Sequence, residues 1–181
     1  MSREALTQAQ TRINALALVH RILNELEDQS TLDLKQLLEE LSRQIAEGMG
    51  DTDHVKIQVE VPSMVVASGM AVALALFTVE ALTNIYKHAY PLRRRGVIRV
   101  SLKPDGPGKL RLAISDDGVG FHMDETGKSV GSRLIRTFGA QLGGVASVTS
   151  EAGRGTMVTL IFPDPAHKDE AAARAPEAAL T

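Results

Sequence analysis

The stretch TVEALTNIYKHAYP, residues 78–91, decides how this chain folds. It closes an apolar run that starts at Met64 and is interrupted before Val79 only by Ser68, Gly69 and Thr78. That run is 16 residues long, short of the roughly 20 needed to cross a bilayer. The next turns bring in Glu80, Asn84, Lys87 and His88, which are costly in lipid. The reading is therefore a buried helix of a soluble domain, opened by Pro62 and Ser63 and stopped by Pro91. The four polar residues stand at i, i+4, i+7 and i+8, a spacing that a period of 3.6 gathers on one face. Ala73, Leu76 and Phe77 occupy the same face one or two turns earlier, and Leu82, Ile85 and Ala89 make the far side apolar. A solvated charged face would not be built this way. The pattern describes a helix buried for most of its length, whose last turns open into a polar cleft.

Working outward, VKIQVEV alternates apolar residues at Val55, Ile57, Val59 and Val61, as a half-buried strand does. VIRVSLK and KLRLAIS flank PDGPG, a strong hairpin signal. A Gly-rich polar loop follows over 116–131. Then comes a helix over about Ser132 to Leu142, ended by Gly143 and Gly144. Strands near 145–149 and 156–162 flank the turn EAGRG. On the N-terminal side, residues 4–28 carry a helical stripe of Ile13, Leu16, His20, Leu23 and Leu26. Ser30 or Thr31 offers an N-cap for a second amphipathic helix with Leu34, Leu37, Leu38, Leu41 and Ile45 on one face, closed by Gly48 and Gly50. Paired strands with helices between them indicate an α+β fold, a two-layer sandwich with helices on one face of a mixed β-sheet. The expected division is a helical segment over 1–50, the sandwich over 51–163 and an Ala-rich, polar tail over 164–181.

Bulk properties exclude several classes. A chain of 181 residues with 44% hydrophobic residues can bury a real core, and with aromatics at 3% that core is aliphatic. A net charge of −2 gives no electrostatic footprint for nucleic acid. The absence of cysteine rules out disulfides and thiolate metal sites, and suits a reducing, cytoplasmic setting. The polar start MSREALTQAQ lacks the apolar core of a signal peptide.

The chemistry lies in four short motifs. After the polar stripe comes ISDDGVG, residues 114–120, which puts Asp116 at a strand end and lets Gly118 and Gly120 bring backbone close to a ligand. Gly131 precedes Ser132 and Arg133 at a helix start, where free N–H groups and a cation favour phosphate. GRGT, residues 153–156, is a tight turn before the last strand. Each is weak alone; in this order they are specific. The chain resembles the ATP-binding domain of sensor histidine kinases, in the GHKL superfamily of gyrase, heat-shock chaperone, histidine kinase and MutL. EALTNIYKHAY is similar to its N box, DDGVG to its first Gly box, SVGSRLI to its second and GRGT to the last, so that the resemblance covers about residues 55–163. It implies the Bergerat-type ATP-binding fold. RINALALVHRIL followed by LDLKQLLEEL resembles the second dimerisation helix, and the link after it, of the HWE-like class. A strict HWE member has Trp in its first Gly box; this chain has no Trp, and its KHAYP is closer to the sister class.

The resemblance implies roles residue by residue. Asn84 would give an amide oxygen to Mg²⁺ bridging the ATP phosphates, a hard cation suited to oxygen ligands and retained water. Glu80 would be the polarising base or the holder of a metal-bound water, with a structural partnership to Lys87 as the alternative. Lys87 and His88 would face phosphate, although a packing role suits His88 equally. Asp116 would accept the adenine amino hydrogen, beside an Asp117 read as a loop residue only. Gly118 and Gly120 would shape the base pocket and the root of the lid FHMDETGKSV. Lys128 and Arg133 would meet phosphate or solvent. Thr156 would close the adenine end by its hydroxyl or a bound water.

His20 begins HRILNEL, which looks like a phosphoacceptor box, but the alignment to the second dimerisation helix gives that histidine no acceptor role. On that alignment the acceptor helix is missing from the chain, which would act in trans or as part of a longer protein. The implied activity is protein-histidine kinase, moving the ATP γ-phosphoryl to a histidine for relay to a response-regulator receiver domain, with homodimerisation through the N-terminal helices. Two alternatives stand beside it. Anti-sigma-factor serine kinases share the N box but lack the 4–48 helical pair. A non-catalytic docking module for a response regulator would not need Asn84, Asp116 and both glycines.

Overall fold

The computed structural model describes residues 31–49, 54–121 and 130–167, with positions 10, 13, 16, 17, 20, 21 and 24 before them. Those seven positions are helical. Asn24 and His20 meet side chain to side chain at 3.0 Å, one turn apart, and Arg21 reaches Gln44 at 3.0 Å. The remainder of the 4–28 helix, most of the 164–181 tail, Gly50 and Lys128 lie outside the described residues.

Strand β1 (Thr31–Asp33) leads directly into helix α1 (Leu34–Gly48). The N-cap is Asp33, not Ser30 or Thr31: its carboxylate accepts the Gln36 N–H at 2.9 Å and the Ser63 hydroxyl. Leu34, Leu37, Leu38 and Leu41 are buried, as their spacing requires. After β2 (Val55–Glu60) the chain does not enter a helix at Pro62–Ser63. It forms β3 (Val65–Ala67), antiparallel to β1 with Leu32 opposite Val66. The reason is local. Val65 and Val66 are β-branched and favour extended backbone, and the Leu34 N–H fixes the Met64 carbonyl at 2.8 Å.

Helix α2 (Ser68–His88) is the long apolar helix. By length and composition it could span a membrane. Instead Leu74, Phe77, Leu82 and Ile85 are buried in the core that α1, α3 and the sheet share. A short 3-10 turn, Pro91–Arg93, leads to β4 (Gly96–Pro104) and β5 (Lys109–Asp116). Their hairpin turns on Gly106 and Gly108, both with positive φ. Helix α3 (Val130–Gln141) starts two residues earlier than expected, so Gly131 and Ser132 sit inside its first turn. The chain ends in β6 (Val145–Glu151) and β7 (Gly155–Pro163).

The main sheet has the order β2-β4-β5-β7-β6, with β2 parallel to β4 and all other pairs antiparallel. Ile98, Val100, Leu102, Leu110, Leu112, Ile114, Val158, Leu160 and Phe162 alternate into the core from the three central strands. Arg99, Lys103 and Arg111 point to the other face. This is the α+β sandwich with a mixed sheet, and its core is mostly aliphatic, with Phe77, Phe162 and Tyr90 buried among the aliphatic side chains.

Candidate functional site

The polar stripe lies where α2 leaves the core. Glu80 is buried, with only 6% of its surface exposed. Asn84 and Lys87 are half-buried and His88 is exposed. The Asn84 amide nitrogen points at Glu80 Oε1 over a long 3.5 Å. This places the amide oxygen on the side away from that carboxylate oxygen. Thr83 lies on the same side of the helix, three residues after Glu80, and sequence reading missed it. Its hydroxyl is buried and takes no partner among the described residues. Thr78 one turn earlier shows the usual alternative, donating to the Leu74 carbonyl at 2.8 Å.

Asp116 ends β5 on its core-facing side, in line with Leu112 and Ile114, and is 8% exposed. Its Oδ1 accepts the Gly118 N–H at 2.8 Å. Its Oδ2 is buried and has no hydrogen-bond partner among the described residues. Burial raises this carboxyl above the ordinary value of 3.8, against the backbone amides of Gly118 and Thr156.

Backbone fits tightly on both sides of this carboxylate, which explains the glycines. A Cβ at Gly118 would lie 2.6 Å from the Ala89 Cβ, and Val119 N–H donates to the Ala89 carbonyl at 2.9 Å. The loop is thus bonded to the C-terminal end of α2. Gly120 has positive φ, and its Cβ would lie 2.8 Å from the Gly155 carbonyl oxygen. A Cβ at Gly155 would lie 2.8 Å from the Asp116 carbonyl carbon. Gly153 N–H donates to the Val119 carbonyl at 2.7 Å. The first Gly box is therefore held between the stripe helix and the GRGT turn.

Asp117 is more than the loop residue it resembled. Its Oδ1 accepts the Tyr90 hydroxyl at 3.0 Å and the Val97 N–H at 2.9 Å. Tyr90 is buried, and burial together with Asp117 holds its phenol well above the usual range. Gly96 makes room for it, since a Cβ there would come within 2.7 Å of the ring. Ser150 was also missed. Its Oγ receives the Phe121 N–H at 2.9 Å and lies 2.9 Å from the Thr156 hydroxyl. The structure thus brings Asp116, Gly118, Gly120 and Thr156 together, and the Val119–Ala89 bond ties this loop to the end of the helix that carries Glu80 and Asn84. Gly131, Ser132 and Arg133 are in the first turn of α3, and their side chains lie outside the description, as does Lys128.

The model of the histidine kinase-, DNA gyrase B- and HSP90-like ATPases matches residues 69–166, and a histidine kinase model matches residues 1–49. The chain belongs to this ATPase family, as an ATP-binding catalytic domain of the histidine kinase type. Among curated relatives, it is 30% identical over 112 residues to blue-light-activated histidine kinase 2 of Erythrobacter litoralis, covering 60% of this chain and 32% of that protein. It is 28% identical over 170 residues to the sensor histidine kinase PdtaS of Mycobacterium tuberculosis, covering 89% of this chain and 33% of that protein. Among solved structures, the histidine kinase domain of an Erythrobacter litoralis blue-light-activated histidine kinase superposes with a TM-score of 0.74 at 26% identity, covering 88% of this chain and 76% of that one. The chain spans about a third of the length of the curated relatives it matches.

Proposed function

We propose that this domain binds Mg-ATP and transfers the γ-phosphoryl group to a histidine on a dimerisation helix, for relay to the aspartate of a response-regulator receiver domain. Residues 1–50 would belong to the dimerisation region and its link, and would carry the homodimer contact. Phosphoryl transfer depends on positioning and charge neutralisation more than on covalent help from the protein. The observation that carries the reading is the Asp116 Oδ2, a buried acceptor without a donor among the described residues. An orphaned acceptor costs about 1–3 kcal/mol, and the exocyclic amine of adenine is the donor that would relieve it. Guanine would present a carbonyl there, acceptor against acceptor.

The stripe supports the metal half of the reading. With its nitrogen turned to Glu80, Asn84 would offer its oxygen to Mg²⁺. Among the described residues no group of three or more His, Cys, Asp or Glu forms a metal site of its own. The ion would therefore draw its remaining ligands from phosphate and water, as Mg²⁺ commonly does. Glu80, one turn from Asn84 on the same face, would hold a metal-bound water or act as the polarising base. Lys87 and His88 would meet phosphate, with Arg133 and Lys128 from the α3 side. The helix pair matched over 1–49 favours histidine over serine as the acceptor.

The test is labelled ATP given to this chain, alone and with a separate dimerisation helix pair. Acid-labile label on the added pair, lost in Asn84→Ala, is the expected result. Acid-labile label on this chain alone would move the acceptor to His20. Acid-stable label on a serine, or none at all with Mg-ATP bound, would overturn the reading.

A further inference from the structure

We infer that Ser150 sets the base specificity of the nucleotide site by holding the Thr156 hydroxyl as a pure acceptor. The inference rests on the reading above, that Asp116 and Thr156 face the base. The register that pairs Ser115 with Met157 across β5 and β7, and Ser150 with Thr156 across β6 and β7, sets Asp116, Thr156 and Ser150 side by side on the core face.

The proton count around Ser150 has one solution. Its oxygen meets the Phe121 N–H at 2.9 Å, the Gly155 carbonyl at 3.1 Å and the Thr156 hydroxyl at 2.9 Å. Phe121 N–H can only donate and the Gly155 carbonyl can only accept. A serine hydroxyl has one proton and two lone pairs. All three contacts are hydrogen bonds only if Ser150 gives its proton to Gly155. It then receives one from Phe121 and one from Thr156. The Thr156 proton is thereby committed to Ser150, and only its lone pairs remain for the pocket.

The consequence, among the described residues, is a wall that offers two side-chain acceptors, Asp116 Oδ2 and Thr156 Oγ1. Such a wall takes a base that presents an amine and rejects one that presents a carbonyl. A free threonine hydroxyl would rotate and donate to the carbonyl, so Thr156 alone would not discriminate. Ser150 acts through Thr156 and is a positioning residue. Its Phe121 contact also ties the lid root to the same hydroxyl.

The experiment is calorimetric binding of Mg-ATP and Mg-GTP to the full chain. Ser150→Ala should lower the preference for ATP over GTP by about three- to tenfold, mainly by tightening GTP. Ser150→Thr, which keeps the hydroxyl, should restore it. Thr156→Val should lower the preference by itself, and adding Ser150→Ala to it should change nothing further. If Ser150→Ala weakens both nucleotides equally, the residue is only a lid anchor and the inference falls. It falls too if Ser150→Ala still lowers the preference in the Thr156→Val background. Thr156→Val decides alone should Ser150→Ala fail to fold: an unchanged preference overturns the inference. Asp116→Asn separates the two levels. If it leaves the preference intact, the adenine reading itself fails; if it collapses the preference, the Ser150 results judge this inference alone.

Discussion

Gly153 and Gly155 stand two residues apart in the same turn with nearly equal φ, +82° and +86°. An alanine at either position meets the same left-handed backbone cost, about 1–2 kcal/mol. Their surroundings differ. A Cβ at Gly153 has nothing within 4 Å, whereas one at Gly155 would lie 2.8 Å from the Asp116 carbonyl carbon and 3.0 Å from its Oδ1, with the carbonyl oxygen nearer still. Those atoms are backbone and a buried carboxylate, which cannot swing away. Overpacking of this kind adds about 1–3 kcal/mol. Gly155→Ala should therefore melt about 2–12 °C below Gly153→Ala, using the midpoint shift of about 2–4 °C per kcal/mol for a chain of this size. The clash also pushes Asp116 off its place, so Gly155→Ala should lose most ATP affinity by calorimetry while Gly153→Ala keeps it. Equal melting points for the two variants, or native ATP affinity in Gly155→Ala, would refute the claim that GRGT positions the carboxylate.

Three further outcomes are expected. Tyr90→Phe removes a hydrogen bond to a carboxylate, and Asp117→Ala removes that bond and the one from Val97 N–H; urea unfolding should show a loss of about 1.5–3 kcal/mol for the first and more for the second, with ATP and GTP weakened alike. Asp116 binds its proton more tightly folded than unfolded, so its contribution to stability is present at low pH and lost as pH rises from 3.8 through its raised folded value; melts of the unliganded chain should show that loss relative to Asp116→Asn, while protection by ATP grows over the same window as the acceptor ionises. Asp33→Ala removes the α1 cap and should cost about 0.5–2 kcal/mol in thermal or urea unfolding while leaving ATP affinity unchanged, because Asp33 touches Gln36 and Ser63 but nothing in the site.

Much of this site was legible because its residues break the period of the elements that carry them. Glu80 and Asn84 are polar where an apolar helix face is due. Asp116 continues the core-facing line of Leu112 and Ile114, so alternation alone marks it as a buried carboxylate. The hairpin and the GRGT turn were legible through glycines that need positive φ. What was not legible obeys local rules or is too short to show a period. The β1–β3 ribbon has three residues on each side, and its partner lies about 35 residues away (Thr31 opposite Ala67), so only the fold reveals it. Asp117 looks like a loop residue because its partners, Tyr90 and Val97, are brought to it by tertiary packing. Ser150 and Thr83 look like ordinary polar members of a strand and a helix. Nothing in sequence shows that one hydroxyl is shared by three neighbours and the other by none.

The same contrast separates residues that serve the fold from residues that serve the site. Asp33 caps a helix, and Arg43 pairs with Glu40 and Glu47 along α1; each satisfies its own neighbourhood and leaves no unmet group. Asp116 does the reverse. It is a buried carboxylate with one oxygen bonded to Gly118 and the other unmet among the described residues, flanked by glycines whose Cβ would clash with their neighbours. A core designed for stability alone would fill that position with an apolar side chain. If Asp116 meets a ligand donor as proposed, the energy withheld from folding there would be recovered on binding, and the stability of this domain would be coupled to its ligand. On the proposed reading the coupling would be directional: it would favour a ligand with an amine at Asp116 over one with a carbonyl.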